Sequence, residues 1–341
     1  MYLRSFKRVA CALMGAVLTV GSAYAKGPEP ALWRIKHGDA TVYILGSVHV
    51  LPRYWEWRTP AIDKAMAASD AFVFESLMTP DALGKMRVFL RENGTLPRGK
   101  HLSQMLSPQG LEDYKAALSH IPVDPDSINV MRPWLAQIVL ADLRIETGPN
   151  RQSYGEGADF QIEADARRMK KPVRYLESVE SVFKILVQAA PDDDLKQFEA
   201  NLHSMREGSK LIDRLVDRWT AGDQTGLTKL LADDAANHPE EMRMVLNVRN
   251  RNWMPQIEGM LASKQTIFIT MGAAHLIGPE SVMDMLCQRG WKVERVKTGA
   301  TTPPPACAGF AKPNATPAAP KAPLVAREKG QPLAKEIALR P

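Results

Sequence analysis

The chain contains short apolar runs without helical spacing, and two of these runs have the same ending. Residues 41–45 and 266–271 are rich in β-branched side chains, a pattern typical of buried strands. Each run leads into Gly-x-x-His, which ends at His49 in the first copy and at His275 in the second. Glycine permits a sharp turn, so we expect both histidines to stand just beyond the carboxyl ends of their strands.

The residues after each histidine repeat a second pattern. A short helical pattern over residues 61–68 and an apolar run over 71–75 follow the first copy. The second copy is followed by a helical pattern ended by Gly290 and by a strand pattern over 291–296. Two β–turn–His–α–β units in one sheet bring both histidines to its carboxyl edge, where ligands bind. The alternative is that each histidine is a turn residue with a satisfied hydrogen bond.

Acidic residues end two further predicted strands. Glu75 closes the run 71–75, where a carboxylate is costly unless it has a partner. We therefore expect Glu75 to face the two histidines, with a salt bridge or a helix cap as the alternative. Glu177 closes the run 173–177 and is interpreted as assisting the helix that starts after it, and Asp159 is interpreted as an N-cap-type residue.

The remaining patterns are mainly helical. Residues 80–148 and 191–262 carry apolar stripes at helical spacing, which indicate core packing. The second stretch contains the run Arg-Asn-Arg-Asn-Trp at 249–253. This run is either a surface charge cluster or a site element in which Arg249 turns toward the carboxylate.

The two ends of the chain differ from its centre. Residues 1–25 combine a basic start, an apolar stretch too short to span a bilayer comfortably and a small-x-small ending, which predict a secretory signal peptide. An uncleaved anchor is the alternative. Residues 301–341 are rich in Pro, Ala and Lys and are predicted to be disordered. We expect a domain over residues 26–300 that is exported to the periplasm or the medium, without stable membrane insertion after cleavage.

Charge argues against one class of partner. The formal net charge is +6, but the first 25 residues hold three basic and no acidic residues. The tail from Ala308 holds six basic and two acidic residues, which leaves −1 for the remainder. The basic balance belongs to the ends, so the pattern does not favour a nucleic-acid-binding surface.

Two cysteines lie beyond the predicted signal peptide. Cys287 falls on the last predicted helix and Cys307 just after the predicted domain. An exported protein meets an oxidising compartment, so a disulfide between them is one interpretation. Two unrelated thiols are the other.

Several of these features occur together in an order that resembles the TraB/GumN family, which is related to the Tiki proteases and more distantly to erythromycin esterase and ChaN-like proteins. The resemblance covers residues of about 30–297. The matching residues are Gly46 to Val50, Glu75, Tyr154-Gly155 with Asp159, Lys171-Pro172-Val173, Leu176-Glu177-Ser178, Arg249-Asn250 with Trp253, Gly272 to Leu276, and Gly290-Trp291. Ser178 departs from the threonine common in the family.

The resemblance implies a single α/β domain with a mixed, largely parallel central sheet, flanking helices and helical insertions. It also implies metal-dependent, peptidase-like hydrolysis with His49, Glu75 and His275 as ligands of a divalent ion, with manganese or cobalt suggested by the family. Two imidazoles and a carboxylate are a common metal-ligand set. Arg249 is then expected to stabilise the developing oxyanion.

Two other functions stay open on the same residues. The esterase relatives suggest hydrolysis without a metal, in which a histidine acts as general base and a glutamate orients it. The ChaN resemblance suggests an iron- or haem-binding protein without catalysis. For either hydrolase the expected substrate is a peptide or a small amide or ester. The sequence does not specify the oligomeric state.

Overall fold

A six-stranded sheet forms the centre of the computed structural model. The model describes residues 27–76, 80–119, 121–147, 152–189, 195–206, 211–237, 242–299 and 307. The strands are β1 (Leu32–His37), β2 (Ala40–Ser47), β3 (Leu51–Pro52), β4 (Ala71–Ser76), β5 (Gln152–Ser153), β6 (Val173–Glu177), β7 (Thr266–Gly272) and β8 (Val293–Val296). Strands β3 and β5 form a separate two-stranded ribbon.

The order of strands in the main sheet is β6-β4-β7-β2-β1-β8. Strands β6, β4, β7 and β2 are parallel, whereas β1 is antiparallel to both β2 and β8. Strands β2 and β7 are neighbours, with Ser47 opposite Gly272. The predicted α/β class with a mixed, largely parallel sheet is confirmed, and the two Gly-x-x-His units end at the same edge.

Helices cover the sheet and extend it. They are α1 (Pro60–Ala68), α2 (Pro80–Gly94), α3 (Pro108–Ser119), α4 (Pro125–Asn129), α5 (Pro133–Thr147), α6 (Ala158–Arg168), α7 (Val179–Ala189), α8 (Leu195–Arg206), α9 (Leu211–Thr220), α10 (Gln224–Asn237), α11 (Arg249–Leu261) and α12 (Val282–Gln288). A π-helical segment, Arg243–Val248, leads directly into α11, and a 3₁₀ turn, Ala273–Leu276, follows β7.

Successive side chains of β7 join hydrophobic clusters on opposite faces of the sheet, so the core has two layers. Ile267 and Ile269 join the cluster formed with α11 and α12, whereas Phe268 joins the opposite cluster formed with α1, α6 and α9. This two-sided burial follows from the period of two in a strand. A third cluster, built mainly from α3, α5 and α8, lies in the helical insertion.

Gly46 does not form the chain turn that the sequence pattern predicts. It lies inside β2, and a Cβ placed there would lie 3.2 Å from Leu276 Cδ1 and 3.3 Å from Ala273 Cα. The absence of a side chain therefore lets the 3₁₀ turn after β7 pack against β2. This contact brings the segments that carry the two histidines together.

The second interpretation of the cysteines is wrong, because Cys287 on α12 forms a disulfide with Cys307. No helix among the described residues is long and apolar enough to cross a membrane. The predicted signal peptide, 1–25, and the predicted tail, 301–341, lie outside the described residues except for Cys307. The domain boundaries therefore stay predictions.

Candidate active site

Gly272, the last residue of β7, faces the space between three polar side chains. A Cβ placed on Gly272 would lie 3.3 Å from Glu75 Oε1, 3.4 Å from His49 Nε2 and 3.6 Å from His275 Cδ2. The structure thus brings these three predicted site residues around one point. They come from β4, from the loop after β2 and from the 3₁₀ turn after β7.

Glu75 is held as a carboxylate by donors on both oxygens. Oε1 accepts a hydrogen bond from the Gly272 amide at 2.6 Å, and Oε2 accepts one from Arg249 Nη2 at 2.7 Å. Burial favours the protonated form, but the charges of Arg249 and His49 and the hydrogen bond from the Gly272 amide outweigh it and lower the pKa of Glu75. Glu75 therefore contributes a fixed negative charge beside Gly272.

His275 is a buried, neutral imidazole with a defined orientation. Asn250 Nδ2 donates to the Glu280 carbonyl at 3.0 Å, so Asn250 Oδ1 is left to accept from His275 Nδ1 at 2.6 Å. The lone pair of Nε2 then faces Arg249 Nη1, 3.2 Å away. Burial lowers the pKa of His275 to about 3. The ring also packs on Trp253 with 4.5 Å between centroids.

His49 stands at the entrance of the same space. Its side chain is 51% exposed, and Nδ1 lies 2.9 Å from Asp159 Oδ2. Partial burial lowers the pKa of His49, but the charge and hydrogen bond of Asp159 outweigh it and raise the pKa to about 9. Nδ1 therefore donates to Asp159, and Nε2 faces Gly272. The N-cap interpretation of Asp159 is wrong, because Gly157 is the N-cap of α6.

Arg249 lies between two carboxylates and is not part of a surface cluster. It is 6% exposed, and its Nε donates to Glu177 Oε1 at 2.8 Å while Nη2 donates to Glu75. Its position follows the π-helical segment before α11, and such segments often occur at functional sites. Burial raises the pKa of Glu177 although Arg249 opposes the shift. Glu177 thus positions Arg249, which corrects its interpretation as a helix-start residue.

The residues fit a divalent cation in the chemistry of their donors. Both Nδ1 atoms are bound on their outer side, as in metal-ligating histidines, while His49 Nε2 lies beside Gly272 and His275 Nε2 lies 3.8 Å from Glu75 Oε1. The ligand set is not formed, however: among the described residues, no group of three His, Cys, Asp or Glu side chains is arranged to hold a metal ion. Arg249 contacts two of the three expected ligands, Glu75 and His275.

Sequence reasoning missed the residues that orient the site. Asp159, Glu177 and Asn250 each bind a predicted site residue, but none was assigned that role. A signal existed for Glu177, which closes the predicted run 173–177 as Glu75 closes the run 71–75. Asn250 directly follows Arg249 along the chain, which was a weaker signal.

Comparisons with known proteins identify relatives of the whole domain. The family model described as the TraB/PrgY/gumN family matches residues 31–295. The chain is 21% identical over 258 residues to the uncharacterized protein YbaP of Escherichia coli (strain K12), covering 75% of this chain and 92% of YbaP. It is 24% identical over 323 residues to the metalloprotease TIKI1 of Danio rerio, covering 79% of this chain and 63% of TIKI1.

No solved structure matches the chain. The resemblance inferred from the two Gly-x-x-His motifs is confirmed by the family match, which spans every strand of the main sheet except the last residue of β8. The metalloprotease relative suggests a hydrolase function without showing a metal. The chain belongs to the TraB/PrgY/gumN family.

Proposed function

We propose that the chain is a metal-dependent hydrolase of peptide or related amide bonds, with His49, Glu75 and His275 as the metal ligands. One observation supports this most directly: Glu75 Oε1 lies beside Gly272 with His49 Nε2 and is 3.8 Å from His275 Nε2, while both Nδ1 atoms are bound elsewhere. A divalent ion bound by these residues would lower the pKa of a water molecule and polarise a substrate carbonyl.

The other residues of the site have supporting roles. Asp159 holds the His49 ring with Nε2 toward Gly272, and Asn250 holds the His275 ring with Nε2 toward Arg249. Gly272 contributes no side chain and so leaves room for the reacting group. Their fixed orientation lowers the cost of arranging the site when substrate binds.

Arg249 supplies positive charge to the site. Its guanidinium is buried and positioned by Glu177, with Nη1 and Nη2 directed at His275 and Glu75. A fixed cation in a site of this kind stabilises negative charge that develops on a carbonyl oxygen during hydrolysis. We therefore assign Arg249 to electrostatic stabilisation of the transition state.

Hydrolysis without a metal is the second candidate, and the contacts of Arg249 favour it. A guanidinium that bonds Glu75 and approaches His275 Nε2 already neutralises the carboxylate that a metal ion would need. In this case an imidazole acts as the general base toward water. His275 is the neutral imidazole of the pair, since burial lowers its pKa to about 3, and Arg249 Nη1 would have to move away from its Nε2 before that atom could accept a proton.

The test is a screen of metal-stripped protein against peptide and ester libraries, with Mn²⁺, Co²⁺ and Zn²⁺ added back singly. The proposal expects peptide cleavage that returns only with a metal, and His275→Ala should abolish both metal binding and cleavage. Full activity after chelation would refute the metal-dependent mechanism and support the second candidate. A visible haem absorption band without hydrolysis would refute both and indicate a binding protein.

We also propose that the chain is exported. The disulfide between Cys287 and Cys307 supports this, because disulfides persist in oxidising compartments. The signal peptide predicted from the sequence also indicates export. N-terminal sequencing of protein recovered from the periplasm or the medium should begin at Lys26, and a start at Met1 would contradict the proposal.

A further inference from the structure

Tyr54 is unusual in both its exposure and its backbone conformation. Its exposed fraction is 87%, whereas the next most exposed large hydrophobic residue among those described, Val88, reaches 44%. Its φ is 63°, in the left-handed region that bulky side chains rarely adopt. Such a conformation persists only where the surrounding structure imposes it, and it is concentrated at functional sites.

The segments on both sides of Tyr54 are anchored. Pro52 belongs to β3, which pairs with β5, and its carbonyl accepts a hydrogen bond from the Trp55 amide at 3.1 Å. The Trp55 indole donates to Thr220 Oγ1 at 2.9 Å, and Trp57 is fully buried. The fold therefore fixes the backbone around Tyr54 and presents its ring to solvent.

A series of contacts links the segment that carries Tyr54 to the candidate active site. Moving outward from the site, Asp159 contacts His49, the Ala158 amide donates to the Val48 carbonyl, and β3 pairs with β5. Further along, Arg53 Nε lies 3.9 Å from Glu156 Oε1. Tyr54 follows five residues after His49, so the two Cα atoms lie within about 18 Å of each other.

We propose that Tyr54 is a specificity-determining residue that packs against an apolar or aromatic side chain of an extended peptide substrate. An extended peptide covers the distance between His49 and Tyr54 in about five residues. The recognised side chain therefore lies within about five residues of the cleaved bond. An exposed tyrosine offers a large contact surface at low entropic cost. This inference rests on the proposed peptide hydrolysis.

The experiment compares three variants on matched peptides. The probe is a ten-residue fluorogenic peptide taken from the library screen, with five residues on either side of the cleaved bond. In each alanine version of this peptide, one aromatic residue is replaced by alanine. Tyr54→Gly removes the ring and relieves the backbone strain caused by the positive φ, whereas Tyr54→Phe keeps the ring. Lys170→Gly is the matched control, because Lys170 also has a positive φ of 55° and lies on the surface after α6.

The expected result is a change in KM without a change in kcat. Tyr54→Gly should raise KM about three- to tenfold for the unmodified peptide, in line with the energy of an aromatic contact. For the alanine version that lacks the recognised aromatic residue, Tyr54→Gly should leave KM unchanged. Tyr54→Phe should retain the wild-type KM, and both glycine variants should raise the melting temperature by relieving strain. The Lys170→Gly variant should keep the wild-type KM.

Two results would overturn the assignment of Tyr54 while leaving the hydrolase function intact: an unchanged KM in Tyr54→Gly, or an equal rise for every peptide version. Failure of the wild-type protein to cleave any peptide would instead refute the proposed function, and this inference with it. The wild-type reaction therefore distinguishes the two failures.

Discussion

Gly272→Ala tests whether the space above the end of β7 is where chemistry takes place. The new methyl group would lie 3.3 to 3.6 Å from Glu75, His49 and His275, which is about the separation at which reacting atoms approach one another. It would therefore occupy the volume that a metal ion, a water molecule or the substrate carbonyl needs. We expect kcat/KM to fall by at least about 100-fold, equivalent to roughly 2.7 kcal/mol of transition-state stabilisation.

The fold should tolerate this change. Gly272 has a φ of −52°, which alanine adopts readily, and its amide can still donate to Glu75. Replacing glycine where the backbone is compatible stabilises a protein by about 0.4–1 kcal/mol through the unfolded chain. Slightly tight contacts at 3.3 and 3.4 Å offset part of that gain. The net change in the free energy of unfolding should stay within about 1 kcal/mol.

The assay combines peptide hydrolysis, calorimetric metal titration and urea unfolding. Gly259→Ala in α11 is the matched control, because a Cβ at this buried glycine would meet no atom within 4 Å. The control should keep full activity and gain up to about 1 kcal/mol from helix propensity. A folded Gly272→Ala protein with wild-type kcat/KM would refute the assignment of this space to the reaction.

Three further substitutions test the supporting structure. In Gly157→Ala the added Cβ would overlap the His49 carbonyl oxygen; we expect at least a tenfold loss of kcat/KM and about 1–3 kcal/mol of destabilisation, and unchanged kinetics would contradict the contact. Arg249→Lys replaces a two-carboxylate bridge with one ammonium group; kcat should fall at least tenfold, and retention of kcat would remove the proposed electrostatic role. The Arg206 hydrogen bond lowers the pKa of Asp113 in the folded protein. This carboxylate therefore stabilises the fold at pH values above its unfolded pKa of about 3.9, and the stabilisation is lost as the pH falls through the lower folded pKa. The stability difference between wild type and Asp113→Asn, about 1 kcal/mol at neutral pH, should shrink below about pH 4, and a difference independent of pH in that range would contradict the ion pair.

The strands that carry the site, and the edge at which they end, can be predicted from the amino-acid sequence. The apolar runs before Gly46 and Gly272 exclude helical periodicity, and matching β–turn–His–α–β units favour parallel neighbours, as observed for β2 and β7. The placement of Glu75 followed from the cost of a carboxylate at the end of a buried strand. These inferences depend on local period and on burial, which a sequence expresses directly.

The distant side chains that orient the site cannot be predicted in this way, because they meet only in the folded protein. Asp159 binds His49 across 110 residues, and Arg249 binds Glu177 across 72. Nothing in the local sequence of Asp159 distinguishes a helix cap from a histidine partner, because both use the same carboxylate oxygens. The choice depends on where α6 packs over the loop after β2, and that packing is set by burial of the whole sheet face and not by any neighbouring residue.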